Sequence, residues 1–331
     1  MGYLAKQKWE RREKALMCAL LVLIPFLTLA GTAAAGIDAV FDFIGEFKVQ
    51  GAVLSVLLML FSLYKRQMAA AGLFLFFALM NWALIASHYH FTPPKTAYPD
   101  EKPVFTLLYQ DLKGADRKSE EVGRFLERYD ADIVLLTDVP VKIYERLNDI
   151  KGGYVLQNQS YDTTGKMMLV LSKPFGMSRG AVTKAGIWVS HVFSGRRLTI
   201  VLTSLGDVWN GDYGSAAEKA QELAQFAKDR DEPVLLAGDL KASNWSSVTK
   251  PLKSVGNLEV KAPLFLSYPA VLPSFLRRPA ASVYAHTGVE LVDWTPVNAL
   301  ESPVSGFFTA VKMAPAQKKV VFYDLPDATE E

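Results

Sequence analysis

Three long apolar runs occupy the first 90 residues, and beyond them strand-like and helix-like segments alternate nearly to the C-terminus. Residues 15–35, 49–64 and 68–87 contain no charged side chain, and roughly 20 residues of helix cross the hydrocarbon core of a bilayer. The pattern predicts three transmembrane helices over about 15–35, 49–64 and 68–87. The second run is short, so as a span it either tilts little or borrows flanking residues such as Phe47, and a re-entrant hairpin is the alternative. Within residues 91–103, Thr92-Pro93-Pro94-Lys95 reads as a stiff linker. In the region 104–313 the periodicity predicts strands over 104–109, 133–137, 166–172, 186–193, 197–204, 234–239, 289–297 and 306–312. Helices are predicted over 119–129, 214–228 and 246–255. This mixed order implies an α+β fold, a sandwich of two sheets flanked by helices, with residues 314–331 as a tail.

Charge orients the apolar runs. Lys6, Lys8, Arg11, Arg12 and Lys14 lie in the N-terminal segment 1–14, and Lys65-Arg66 separate the second run from the third. The 36–48 loop carries Asp38, Asp42 and Glu46 against only Lys48. Because cytoplasmic loops carry the excess of Lys and Arg, the N-terminus is expected in the cytoplasm of a multi-pass inner-membrane protein. The C-terminal domain is then periplasmic or otherwise extracytoplasmic. A cleavable signal peptide ending at Ala33-Ala34-Ala35 is the rival reading of the first run, and it leaves the domain on the same side. The formal net charge of +2 argues against a dedicated nucleic-acid surface. Arg196-Arg197 and Arg277-Arg278 read as solvated loop charges, and the lone Cys18 excludes disulfides and cysteine-based metal sites. His88, His90, His191 and His286 read as structural or interfacial rather than catalytic.

The candidate chemistry lies at 235–248, Leu-Leu-Ala-Gly-Asp-Leu-Lys-Ala-Ser-Asn-Trp-Ser-Ser-Val. An apolar run ending on Gly238-Asp239 predicts a buried strand that delivers a carboxylate to its C-terminal edge. Ser243 or Asn244 is expected to cap the helix that follows, and Trp245 to anchor that helix on the sheet.

Over about 210 residues these segments resemble the endonuclease/exonuclease/phosphatase family, and with the apolar runs in front the chain is similar to its membrane-anchored bacterial branch. The family's Gly-Asp-Phe-Asn-Ala-Thr falls on the Gly238-Asp239 turn, and its Ala-Asp-Ile-Val-x-Leu-Gln-Glu-Val is similar to residues 131–139. Its Gly-x-x-x-Leu-Ser-x-x-Pro segment resembles Gly165 to Pro174, and its penultimate strands fall on Pro279 to Thr287 and on the segment around Asp293-Trp294.

That family's chemistry needs a divalent cation on acidic ligands, a general base and donors for the phosphoryl transition state. Carried over by resemblance, the first-strand Asn falls on Gln110 or, with a one-residue slip, on Asp111, and the metal-binding Glu on Asp138. The histidine after the central hairpin falls on Ser204, Asp239 is kept, and its partner Asn becomes Lys241. Ile-Asp-His falls on Ala280-Ala281-Ser282, and the final Ser-Asp-His on Val304-Ser305-Gly306. Each well-placed acid or base contributes 10²–10⁴-fold to rate, so the resemblance implies a pseudoenzyme with no catalytic residues and no cofactor. Any metal would rest on Asp138 and Asp239 alone, and Lys241 is a possible charge replacement for it. The expected role is a binding or assembly subunit packed beside other membrane-protein subunits in the bilayer, with no nucleic-acid partner. The alternative is a divergent phosphodiesterase or phosphatase using Mg²⁺ or Mn²⁺ outside the cytoplasm. An anion or lipid-headgroup sensor lies between the two.

Overall fold

Twelve strands build two six-stranded sheets in the computed structural model, which describes residues 19, 23, 26–31, 39–89, 102–115, 119–150, 152–161, 167–175, 178–193, 195–206, 208, 213–297, 300 and 302–315. They are β1 (Phe105–Asp111), β2 (Ile133–Val139), β3 (Val155–Tyr161), β4 (Met167–Ser172), β5 (Arg179–Val182), β6 (Gly186–Phe193), β7 (Arg196–Ser204), β8 (Val234–Asp239), β9 (Glu259–Val260), β10 (Ala281–Ala285), β11 (Val289–Val297) and β12 (Gly306–Met313). One sheet runs β11-β12-β1-β2-β4-β3 and the other β5-β6-β7-β8-β10-β9. Their facing surfaces close over one apolar core that includes Leu107, Leu135, Val170, Ile200, Leu235, Val283 and Phe307.

The helices in chain order are α1 (Ala39–Gly45), α2 (Lys48–Tyr64), α3 (Met68–Ala86), α4 (Ser119–Tyr129), α5 (Val141–Glu145), α6 (Leu147–Ile150), α7 (Tyr213–Lys228) and α8 (Lys250–Ser254). Helix α4 covers the first sheet through Val122, Phe125 and Leu126, an i, i+3, i+4 stripe. On the second sheet α7 presents Ala216, Ala220, Leu223, Ala224 and Ala227, whose small side chains let it lie close to the strands. The predicted two-sheet sandwich is therefore present. Its sequence-predicted strands recur with ends shifted by no more than a few residues, as does helix 119–129.

The N-terminal region fits its expectation less fully. Among the described residues, α3 is the one helix long and apolar enough to cross a membrane, with 19 residues and a hydropathy of 2.0. Helix α2 meets the same standard only when joined to α1 across a 54° bend, because on its own it has 17 residues. Most of the first run, 15–35, lies outside the described residues. Its helical residues 26–31 press on α1 and α2, where a Cβ on Gly31 would meet the Phe41 carbonyl and one on Gly51 would meet Thr28. Asn81 on α3 accepts from Thr28 at 3.2 Å, so a buried polar pair joins these segments.

Candidate functional site

Strand direction brings the family's former catalytic positions to one end of the sandwich. β1 and β2 run parallel with Asp111 opposite Thr137, and β7 and β8 run parallel with Ser204 opposite Asp239, so four C-terminal strand ends meet there. β10 and β12 are antiparallel to these and begin at the same end, with Ala281 opposite Asp239 and Phe307 opposite Tyr109. Gln110, Asp138, Ser204, Asp239, Ala281, Ser282, Ser305 and Gly306 thus share one edge, as their alignment to the family implies. Two glycines are required by packing. A Cβ on Gly238 would collide with the Thr203 carbonyl oxygen, and one on Gly306 with the Tyr109 carbonyl oxygen. The Gly-Asp turn therefore persists for a backbone reason, whatever chemistry occurs beside it.

Three carboxylates stand at this edge, with Asp138 and Asp239 near enough to Asp111 to disfavour its ionisation. Asp111 accepts from the Lys113 N–H at 2.9 Å and from Ser302 Oγ at 2.8 Å, and it is buried. Burial, with Asp138 and Asp239 nearby, pushes its pKa up to about 7. Burial also raises Asp239, while the Lys241 ammonium pulls it back. Asp138 and Lys241 both hold left-handed backbone, at φ 50° and 49°, the first inside the β2–β4 register shift.

The sequence left open whether Lys241 points to solvent or into the site. Its Nζ lies 3.6 Å from Asp239 Oδ2, and its N–H donates to Asp239 Oδ1 at 3.2 Å. Arg278 donates to the Lys241 carbonyl oxygen at 2.6 Å, lies over the Tyr268 ring and is 6% exposed, which corrects the reading of Arg277-Arg278 as solvated. Arg277 is itself engaged, donating to the carbonyls of Ala270 and Leu272 and to Ser305 Oγ.

Two acidic residues of the 36–48 loop close the edge, a role that their charge alone does not reveal in the sequence. Glu46 is buried against the loop after β8, where it accepts from the Ser243 N–H at 2.9 Å and Ser243 Oγ at 2.9 Å, with Arg278 Nη1 3.7 Å away. Burial pushes its pKa up to about 7 against the opposing pull of Arg278 and Ser243. One turn earlier, Asp42 accepts from Ser246 Oγ, the Ser247 N–H and Oγ, and Tyr213 Oη, all at 2.7–3.0 Å. Ser243 is therefore a docking residue rather than a helix cap. Asn244 turns inward to accept from Ser282 Oγ and Tyr284 Oη. The expected helix 246–255 shrinks to α8, which has no side-chain cap. Trp245 packs on Val49, Ala52, Ile85 and Tyr89 of the N-terminal helices, with Lys48 Nζ 4.7 Å from its ring centre, and does not anchor α8 on the sheet.

The donor set does not suit a hard divalent cation, which takes six or more oxygens. Asp239 spends one oxygen on a backbone N–H and turns the other toward an ammonium, and Asp111 is held by Lys113 and Ser302. The Gln110 amide is spent on the Asp111 and Val304 carbonyls, although its buried Oε1 has no partner among the described residues. Among the described residues no three His, Cys, Asp or Glu side chains group around one point. His191 lies among Phe175 and Phe193, and His286 bonds to the Val234 N–H and the Gly256 carbonyl, so neither joins this edge.

The raised Asp111 pKa carries a testable consequence. A carboxyl that titrates higher in the folded state than unfolded takes up a proton on folding, so the contribution of Asp111 to stability is greatest below pH 4 and falls as pH rises toward 7. Asp111→Asn keeps the acceptor for Lys113 and Ser302, removes the charge, and should stabilise the chain at pH 8 by on the order of 2 kcal/mol. Denaturation of both proteins from pH 5 to 8 checks this. A variant less stable at pH 8 contradicts the assigned repulsion.

Two packed mixed sheets with helices outside, and polar residues gathered where parallel strands end, define a two-sheet α/β sandwich with its candidate site at one edge. The sequence profile of the Endonuclease/Exonuclease/phosphatase family matches residues 109–300, over half of the chain, and the chain belongs to that family. Solved structures share the fold at low identity. A humanized D. rerio TDP2 is 13% identical with a TM-score of 0.53, covering 63% of this chain and 98% of its own. An endonuclease/exonuclease/phosphatase from Bacteroides vulgatus is 10% identical with a TM-score of 0.52, over the same shares of the two chains. A functionally unknown conserved protein from Enterococcus faecalis V583 is 10% identical with a TM-score of 0.51, over 63% of this chain and 99% of its own. Among curated proteins, no sequence matches this chain.

Proposed function

We propose that this chain is a membrane-anchored, non-catalytic member of the family whose outer domain serves as a binding or assembly subunit of a membrane complex. The observation that carries this reading is the occupation of the cleft by the chain's own side chains. Lys241 sits on Asp239, while Glu46 sits on Ser243 beside Arg278, the cation that also faces Asp239. A phosphate entering here would have to displace one carboxylate and compete for cations already engaged. Anchoring is supported by the apolar helix α3 and by the side of the domain that docks. Residues 42–50 and 85–89 both contact it, at the ends of α2 and α3 opposite Lys65-Arg66, which fits an outer domain and a cytoplasmic Lys65-Arg66 turn.

Mild-detergent extraction of the full chain from its native membrane, followed by identification of the proteins that co-purify in fixed ratio, tests the assembly role. Stable membrane partners are expected. A chain that runs alone at every detergent level overturns it.

A second reading, a divergent phosphodiesterase or phosphatase using Mg²⁺ or Mn²⁺, is favoured by Asp111 and Asp239, since carboxylates with raised pKa serve as general acids. It would require Lys241 to leave Asp239.

A further inference from the structure

Helix α1 is two-sided in a way that the closed cleft does not explain. Asp42 and, just after the helix, Glu46 bond to the domain and are buried, and Gly45 packs against Gly31, whereas Val40, Phe41 and Phe43 are exposed, Val40 at 62%. A second apolar outcrop stands beside the start of α2. The 268–278 loop carries Val271, Leu272 and Leu276 on its outer side, Val271 at 86% exposure, while Arg277 ties the base of the loop through its bonds to the Ala270 and Leu272 carbonyls. Both outcrops lie at the same end of the anchor helices. Gln50 at the start of α2 donates to the Arg277 carbonyl oxygen at 2.6 Å, and α1 runs directly into α2. Exposed clusters of large apolar side chains are uncommon on water-facing surfaces. A short helix with one pinned polar face and one aromatic face suits the headgroup boundary of a bilayer.

Resting on the membrane-anchored reading above, we infer that the domain lies flat on the outer leaflet, with Val40, Phe41 and Phe43 of α1 and Val271, Leu272 and Leu276 of the neighbouring loop immersed in the lipid interface. The occupant of this patch is lipid rather than a partner protein, because the patch continues the apolar surface of the membrane helices at the depth where α2 and α3 end. Position also decides its consequence: the edge bearing Asp239 and Glu46 faces the bilayer and is screened from the aqueous compartment.

The full chain carrying Cys18→Ala and one added cysteine, labelled with an environment-sensitive fluorophore and reconstituted alone into phosphatidylcholine vesicles, tests this. Labels at Phe41→Cys and Val271→Cys should emit to the blue and be quenched several-fold by nitroxide lipids, whereas a label at Val192→Cys, exposed on β6, should not. A label at Leu73→Cys on α3 reports on the anchor itself. Quenching at 73 with aqueous emission at 41 and 271 overturns the interfacial patch alone, including the case in which a protein partner covers it in cells. Loss of quenching at 73 overturns the membrane anchor on which the inference rests.

Discussion

Glu46→Ala should destabilise the full chain by about 3–5 kcal/mol, the range for removing one partner of a buried ion pair. The carboxylate is the acceptor for two Ser243 donors and the counter-charge for an arginine that is 6% exposed, so its loss leaves an N–H, a hydroxyl and a guanidinium without that partner inside a dry contact. Part of the wild-type benefit is offset by the cost of burying the charge, which is why Glu46 titrates near 7 rather than near its usual 4.5. Glu46→Gln keeps an acceptor for Ser243 without that cost and should lose far less. The sign with pH follows: the wild-type contact weakens as pH rises from 5 to 8, while that of the Gln variant does not. Urea denaturation followed by tryptophan emission in mild detergent reads both effects. An alanine variant as stable as wild type contradicts the docking.

Lys241→Ala should cost about 3 kcal/mol, because it leaves Asp239, 1% exposed and facing Asp138, with Arg278 as its remaining nearby cation. The loss should grow from pH 5 to pH 8, since an unpaired Asp239 can relieve the strain at low pH by taking a proton. Metal dependence separates charge replacement from ordinary pairing. Millimolar Mg²⁺ or Mn²⁺ should leave the wild-type melting temperature unchanged and restore part of the loss in Lys241→Ala, where a cation can enter the vacated place. A clear metal-dependent rise in the wild type contradicts the replacement.

The sandwich is legible in the sequence because its central strands are continuous apolar runs and its main helices carry clean apolar stripes. β3 escapes notice because Gln157, Asn158, Gln159 and Ser160 give an exposed edge strand no alternation to detect. β10 is legible only through the family resemblance, since Ala281-Ser282-Val283-Tyr284-Ala285 is a short run of mixed character. At the site, resemblance locates the edge and local spacing suggests Lys241 beside Asp239. The closure by Asp42 and Glu46 is not legible, because those bonds join residues 171 to 205 positions apart and nothing in a loop's charge says where it docks. Arg278 and Trp245 mislead for a related reason: a residue type predicts burial or exposure on average, whereas Trp245 packs on the N-terminal helices and Arg278 is held between Lys241, Tyr268 and Glu46.

Hydrolysis of a generic aryl phosphodiester by the purified full chain, with Mg²⁺ or Mn²⁺ and with Asp239→Ala as control, tests the claim of a closed, non-catalytic cleft most directly. Turnover indistinguishable from that of Asp239→Ala is predicted. Metal-dependent turnover that Asp239→Ala abolishes would contradict it.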